Sequence, residues 1–166
     1  MIRPTKFKIV KINNALMDYE CQRLIDLYKN EKVEFMNDFY GFDIEYINLR
    51  VEDIIHDLTG IDVIYQEPIY ISKSADIGVK EPTRADAWED TNPIIKQYGN
   101  RVFTFMAFLT EGEIHFPQIN LKHKAKVGDG LVWNNVIESG RVLDSINQVS
   151  NDTYYIKRWV REKPFI

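Results

Sequence analysis

The second half of the chain, from Arg101 to Trp159, carries a series of short apolar runs separated by turn residues. In order they are RVFTFMAFL, TEGEIHFPQINL, KHKAKVGDGLVWNN and LDSINQVSNDTYYIKRWVRE. Short runs of this kind, broken by Gly, Asn and Asp, are typical of strands in an antiparallel sandwich or barrel. The GDG sequence at Gly128 to Gly130 predicts a tight hairpin turn before the apolar LVW. This half of the chain therefore predicts a sheet-based core.

The first sixty residues have a different pattern, in which apolar residues recur at helical spacing. Such spacing puts them on one face of an amphipathic helix. The two predicted stripes are Met17, Cys21, Leu24, Ile25 and Tyr28, and then Ile47, Val51, Ile54, Ile55 and Leu58. Gly60 is placed to end the second helix. Because Cys21 lies on an apolar stripe with no basic neighbour, we expect a small buried hydrophobe and not a nucleophile.

The segments around these helices complete the predicted organisation. Lys6 to Ile12 alternates charged and apolar residues and predicts a first strand, and Ile61 to Ile71 is rich in β-branched and aromatic residues and predicts another. Pro68 makes a continuous central strand there doubtful. Ser72 to Pro93 is polar and predicts a long loop, a type of segment that is often functional. Lys122 to Lys126 (KHKAK) predicts an exposed edge strand.

Composition limits the classes of function. Residues 1–166 predict one domain, with a strand and two helices in 1–60 and the sheet core in 61–166. The net charge of -4 does not favour binding to nucleic acid or to an anionic membrane. Cys21 is the only cysteine, so neither a disulfide within the chain nor a cysteine-based zinc site is possible. We expect a soluble, intracellular (cytoplasmic) protein, or a virion component if the source is viral.

The order of features in the second half resembles the C-terminal core of the prolyl 4-hydroxylase-like family of iron(II)/2-oxoglutarate dioxygenases. Arg101 opens a strand with Thr104 three residues on, and Gly-Glu, Phe-Pro and Gly-Asp follow before a polar turn and a strand ending at Trp159. YECQRLIDLYKN and VEDIIHDLTG are similar to the family's two helices. The resemblance implies a mainly β, α+β fold, in which two helices support a double-stranded β-helix (jelly roll).

The resemblance also implies a metal site. In this family, two histidines and one carboxylate hold iron(II), and the first two ligands form a His-x-Asp pair. The matching segment is PTRADAW, where Asp86 fits the aspartate and Arg84 stands at the histidine. Aligning the last strand puts Asp144 at the second histidine. These three remnant metal-site positions lack both imidazoles, so no metal is expected there.

The family's basic residue, which pairs with 2-oxoglutarate, falls at Tyr154 in the same alignment. Arg158 lies four residues on, on the same strand face, and could substitute from roughly 13 Å further along the strand. His115 is a possible rescue ligand for iron. We interpret Arg84 as lying between Asp86 and Asp144, with its charge in the place of the metal's.

Three functions are compatible with these residues. The first is a catalytically degenerate domain without cofactor that serves as a binding or structural module, with protein partners or within an assembly such as a phage virion. The alternative is an active dioxygenase that uses Fe(II) and 2-oxoglutarate to hydroxylate a peptidyl proline or similar residue. The third is a small-molecule or peptide binder that uses the old cleft without redox chemistry. The aromatic residues of the last strands predict core packing more than a binding face, namely Trp133, Tyr154, Tyr155 and Trp159. The oligomeric state stays open.

Overall fold

The strands of this chain pair into two antiparallel sheets, and helices pack on the larger one. This computed structural model describes residues 3–36 and 41–164. Within these residues the helices are α1 (Asp18–Asn30), α2 (Phe42–Thr59) and α3 (Ile94–Tyr98). The strands are β1 (Ile9–Ile12), β2 (Tyr70–Lys73), β3 (Arg101–Phe108), β4 (Gly112–Phe116), β5 (Leu121–Ala125), β6 (Gly130–Asn134), β7 (Gln148–Val149) and β8 (Tyr154–Arg161).

The order of the strands places β3 and β8 at the centre of the molecule. The larger sheet has the order β1-β6-β3-β8-β2, and the smaller sheet has the order β5-β4-β7. Neighbouring strands in both sheets run antiparallel. Two antiparallel sheets preceded by two helices agree with the predicted α+β jelly roll.

Strand β3 is buried on both of its faces because it separates two apolar clusters. Phe105 and Ala107 face the helices, where they join residues of α1 and α2. Met106 and Phe108 face the smaller sheet, where they join residues such as Phe116. Since successive side chains of a strand point to opposite faces, a strand covered on both sides has to be apolar throughout. This explains the unbroken apolar run FMAFL at 105–109 in the sequence.

The two predicted helices are present, and their apolar stripes face the larger sheet, except that the end residues Met17 and Leu58 are exposed. Leu24, Ile47, Val51 and Ile55 are almost fully buried in the cluster beneath the helices. Gly60 ends α2 as predicted, with a left-handed φ of 72°, a conformation that glycine adopts without steric cost. Within the part of the chain described here, no helix has both the length and the apolar character needed to cross a membrane.

Two predicted strands are shorter than expected. The first begins at Ile9 instead of Lys6. In 61–71, a 3₁₀ turn occupies Val63–Tyr65, and regular pairing starts only at Tyr70. Pro68 explains the late start, because its nitrogen has no hydrogen to donate to a neighbouring strand. The edge strand predicted at the KHKAK sequence is confirmed as β5.

The turn predicted at Gly128 is present, but it is not a hairpin. It joins β5 of the smaller sheet to β6 of the larger sheet, so the chain changes sheet there. Gly128 has a φ of 86°, and a Cβ atom at this position would overlap the carbonyl oxygen of Leu16. The leucine backbone donates to the Gly128 carbonyl at 3.0 Å. The glycine therefore allows the start of the first helix to pack against the turn.

Cys21 is buried as predicted, and we expect its thiol to be unreactive in the folded protein. Burial, together with nearby Asp18 and Glu20, raises the pKa of the Cys21 thiol to about 12 from a usual value of 9.0. The native protein should then hold about a thousandfold less thiolate at pH 8 than the unfolded chain does. Mass spectrometry after iodoacetamide treatment should show modification only in urea. Rapid labelling without denaturant would contradict this expectation.

Candidate functional site

A buried ion pair between Asp86 and Lys157 lies in the space between the two sheets, here called the cleft. Lys157 belongs to β8, where Tyr155, Lys157 and Trp159 alternate with Ile156 and Val160, which face the helices. Its Nζ lies 3.1 Å from both carboxylate oxygens of Asp86. The side chains are only 2% and 4% exposed. Asp86 comes from the long loop before β3, so the pair ties this loop to the centre of the larger sheet.

Further hydrogen bonds link the pair to its surroundings. Lys157 Nζ also donates to Asn147 Oδ1 at 3.3 Å. Thr104 Oγ1 donates to Asp86 Oδ2 at 2.8 Å, and Asn135 Nδ2 donates to Thr104 Oγ1 at 2.7 Å. The Nε1 of Trp133 donates to Asn135 Oδ1 at 2.8 Å. A buried polar network with its groups paired in this way adds rigidity, whereas an unpaired member would destabilise it.

The predicted position of Arg84 between two carboxylates is wrong. Its side chain is 51% exposed and its Nη2 lies 3.4 Å from Glu81 Oε1. Asp144 lies 3.2 Å from the guanidinium of Arg141. Lys157 already neutralises the carboxylate of Asp86. A guanidinium of Arg84 buried beside them would be a second positive charge without a partner. Arg84 therefore stays at the surface, where water can solvate it.

Two other site positions lie three residues further along the chain than predicted. Asn147, and not Asp144, faces the His-x-Asp remnant, since its backbone pairs with that of Arg84 in both directions, at 2.8 and 2.9 Å. Lys157, and not Tyr154, is the basic residue of the cleft. Tyr154 faces the helices, with its ring 5.9 Å from that of Tyr28. The offset is the same in both cases, from 144 to 147 and from 154 to 157, so the spacing between the two positions is the predicted one and only their register differs.

Arg158 and His115 also point away from the cleft. Arg158 shares the helix-facing side of β8 with Tyr154, as predicted, and its Nη2 lies 3.6 Å from Glu52 of α2. Burial lowers the pKa of Arg158. His115 alternates with Ile114 and Phe116, which are buried between the sheets. His115 is therefore on the outer face of the smaller sheet, and neither residue is placed to act at Asp86.

A second cluster, which the sequence did not reveal, lies at the other end of the same face of β8. Glu67 accepts from Arg101 Nε and Nη2 at 2.8 and 2.9 Å and from Arg161 Nε at 2.6 Å. The Arg101 guanidinium carbon stacks 3.9 Å above the centroid of a ring of Trp159. Glu67 lies within 61–71, a segment predicted as a strand whose pairing is regular only from Tyr70, so sequence patterns could not show which side chains it meets.

The aromatic residues of the last strands have mostly the predicted role. Trp133 and Tyr155 are buried between the two sheets, and Trp159 is 9% exposed. The predicted core packing of these three residues is confirmed. Tyr154 is only partly buried and packs at the edge of the helix-facing cluster.

The residues of the cleft do not fit an iron(II) site. Among residues 3–36 and 41–164, no group of three or more His, Cys, Asp or Glu side chains is placed to hold a metal ion. The oxygens at the cleft belong to Asp86 and Asn147, and the Lys157 ammonium contacts both of them. A redox iron of this type needs imidazole ligands as well as a carboxylate. Lys157 is also engaged by Asp86, so it is not free to pair with the distal carboxylate of 2-oxoglutarate.

Comparison with known proteins bears on the fold. No family model matches the sequence. The chain is 25% identical over 142 residues to prolyl 4-hydroxylase subunit alpha-1 of Homo sapiens, and 24% identical to that of Gallus gallus. These matches cover 82% of this chain but 26% and 27% of the relatives. The chain thus spans about a quarter of the length of the curated relatives it matches.

Solved structures are similar over more of the chain. A viral collagen prolyl hydroxylase of Paramecium Bursaria Chlorella virus-1 matches with a TM-score of 0.72 at 20% identity, over 92% of this chain and 89% of that one. The same enzyme in complex with 2-oxoglutarate (2OG) matches with a TM-score of 0.68 at 19% identity, over 92% and 95%. A Pseudomonas putida prolyl-4-hydroxylase matches with a TM-score of 0.63 at 11% identity, over 95% and 87%. These likenesses confirm the fold that the sequence predicts.

Proposed function

We propose that this chain, which has a prolyl 4-hydroxylase-like fold, lacks iron-dependent hydroxylation and serves as a binding or structural module. The observation that carries the proposal is the buried ion pair of Asp86 and Lys157. On this proposal its partners are other proteins.

The proposal follows from what the reaction requires of a protein. It requires two imidazoles and a carboxylate around iron, a free cation for the co-substrate, and a pocket that excludes water. In this chain Arg84 stands at the first histidine position and Asn147 pairs with its backbone, and neither side chain can replace an imidazole. Arginine is a permanent cation without a lone pair to give, and the Asn147 amide oxygen already accepts from Lys157.

The ion pair also makes a bound divalent metal unfavourable. The Lys157 ammonium lies within hydrogen-bond distance of both oxygens of Asp86. A metal at these oxygens would displace that ammonium and leave it buried beside a second positive charge. Burying an uncompensated charge costs several kcal/mol (~3–5). The scaffold is thus retained in a form that is stable without a metal.

An active iron(II)/2-oxoglutarate hydroxylase is the alternative function. The names of the similar proteins favour it, since each is a prolyl hydroxylase and one was solved with 2OG. It would require Asp86 to leave Lys157 and to bind a metal with a set of ligands unlike the family's. A prolyl residue in a peptide would then be its substrate.

An anaerobic titration separates the two functions. We expect iron(II) and 2-oxoglutarate to leave the melting temperature of this protein unchanged and to produce no visible charge-transfer band. Adding oxygen and a proline-containing peptide should yield no succinate above the background without protein. The viral collagen prolyl hydroxylase, treated in parallel, serves as the positive control. A band or enzyme-dependent succinate from this chain would overturn the proposal and establish the alternative.

A further inference from the structure

A groove with a partly apolar lining lies beside β1, at the edge of the larger sheet, and is here called the β1 groove. Its volume is about 330 Å³. Its lining comes from the segment before β1, the end of α2 and the strands β1, β3 and β6, and includes Lys6, Lys8, Val10, Leu58, Phe103 and Val132. Val10 pairs with Val132, which faces the helices together with Phe103, so these three apolar side chains share one face of the sheet.

Strand β1 leaves one of its two backbone edges open beside this groove. It pairs with β6 on one side, and no other strand in the described part of the chain pairs with it. Half of the N–H and C=O groups of an edge strand point away from the sheet, where an added strand can pair with them.

The segment that leads into β1 is held in place by Asn134. The backbone N–H of Lys8 donates to Asn134 Oδ1 at 2.7 Å, and Asn134 Nδ2 donates to the Lys6 carbonyl at 3.1 Å. The groove is therefore formed before any partner arrives, and little ordering of the chain would oppose binding.

Positive charge is concentrated at this edge of an acidic protein. Segments 3–12 and 117–127 carry seven of the 21 Lys and Arg residues and none of the 25 Asp and Glu residues. Among residues 3–36 and 41–164, Arg3 pairs with Asp90 and Glu162. The other six cations are exposed and form no ion pair within those residues, namely Lys6, Lys8, Lys11, Lys122, Lys124 and Lys126.

The two basic segments lie on the same side of the molecule. The rings of Phe7 and Phe116 are 5.5 Å apart, and Phe116 pairs with Leu121 of β5. Burial and the charge of Lys11 lower the pKa of His123 in β5. The edge strands of the two sheets therefore present one continuous basic surface.

These features favour one kind of occupant over two others. A second copy of this chain added at β1 would bring lysines against lysines, and like charges on neighbouring strands repel. A nucleic acid carries phosphates along its whole length and would meet the acidic remainder of the surface. A short protein segment with carboxylates and an apolar side chain matches both the lysines and the apolar part of the groove.

We propose that the β1 groove binds an extended, acidic segment of a partner protein, which adds a strand to β1 and places its carboxylates near Lys6 and Lys8. An apolar side chain of this segment lies against Val10 and Leu58. The inference rests on the proposed function, since it names the kind of partner that such a module takes. The groove is on the helix-facing side of the larger sheet, whereas Asp86 and Lys157 lie between the sheets, so binding leaves that ion pair unchanged.

Fluorescence anisotropy with a labelled peptide of alternating glutamate and valine tests the inference. The unaltered protein should bind the peptide saturably, and more weakly as salt is added. The Lys6→Glu, Lys8→Glu variant should bind it roughly tenfold more weakly, because two attractions become repulsions. The Lys80→Glu, Lys96→Glu variant changes the net charge equally at exposed positions elsewhere and should bind as the unaltered protein does. Equal weakening by both variants would overturn the inference.

Further measurements test the apolar contact and the strand pairing. Leu58→Ser should weaken binding severalfold, and a peptide with proline in place of valine should not bind, because proline has no N–H to donate to β1. If the charge-reversed variant does not fold, Lys6→Gln, Lys8→Gln should still weaken binding severalfold. Equally tight binding of the proline peptide would contradict strand addition.

The remaining outcomes separate this inference from the proposed function. Oligothymidylate that displaces the peptide at lower concentration than the unlabelled peptide does would assign the surface to nucleic acid and refute the inference. So would an unaltered protein that does not bind the peptide. Iron(II) binding or succinate formation would contradict the proposed function, whereas a protein that binds neither iron nor the peptide would refute this inference alone.

Discussion

Replacing Lys157 by methionine is expected to lower the free energy of unfolding by about 3–5 kcal/mol, because it leaves the Asp86 carboxylate buried without its cation. Methionine has nearly the length of lysine and is apolar, so little packing is lost. Asp86 would keep the hydrogen bond from Thr104 Oγ1, but a single hydroxyl donor does not neutralise a charge. Equilibrium unfolding in urea, followed by circular dichroism, measures the change.

A double-mutant cycle shows whether the loss comes from the unpaired charge. The combined Asp86→Asn, Lys157→Met variant should recover most of the lost stability, since replacing both partners of a buried pair by neutral groups is often close to neutral. The control is Lys124→Met on the exposed edge strand β5, which should change stability by no more than about 0.5 kcal/mol. A Lys157→Met variant as stable as this control would show that the ion pair does not hold the loop.

Replacing Glu67 by alanine is expected to lower the free energy of unfolding by about 3 kcal/mol, because Arg101 and Arg161 lose the carboxylate they share. The Glu67 side chain is 7% exposed, and those of the arginines are 21% and 9% exposed. Without the carboxylate, two guanidinium groups would stand close together with little solvent between them. The effect is somewhat reduced because Arg101 is partly reached by water.

The tryptophan beside this cluster reports on the same change. Arg101 stacks on Trp159, so loss of its carboxylate partner should also shift the tryptophan emission of the folded protein. Urea unfolding, followed by circular dichroism and by fluorescence, measures both effects. Glu111→Ala, which removes an exposed carboxylate from the turn before β4, serves as the matched control and should alter neither. A Glu67→Ala variant with the stability of this control would mean that the arginines find other partners.

The two ionic clusters give β8 its unusual composition. One face of this strand is apolar apart from Arg158 and packs against the helices. The other carries Lys157 and Arg161 among aromatic residues, and both cations meet a carboxylate from a different part of the chain. Strand β8, which lies beside the central strand β3, thus fixes the loop that carries Asp86 and the segment before β2 by charge.

Much of the fold could be predicted because its evidence is local. The stripe with Leu24 in α1, the glycine that ends α2, and the lysine-rich edge strand β5 each depend on a few neighbouring residues. The failures have local causes as well, since Pro68 interrupts the strand expected in 61–71. The resemblance to prolyl 4-hydroxylase-like proteins supplied the arrangement of the sheets, which no local pattern contains.

The sequence by itself determined α1, α2, most of the strands, and which side chains of each strand share a face, because these follow from periods of 3.6 and 2 residues. Only the tertiary structure decided that Asp86 meets Lys157 and not Arg84. That choice depends on the length of the polar turn between β7 and β8 and on the pairing of β8 with β3, and a change in register alters every contact of a strand. Such long-range geometry determines which side chain pairs with the buried carboxylate of Asp86, and in this protein it is Lys157.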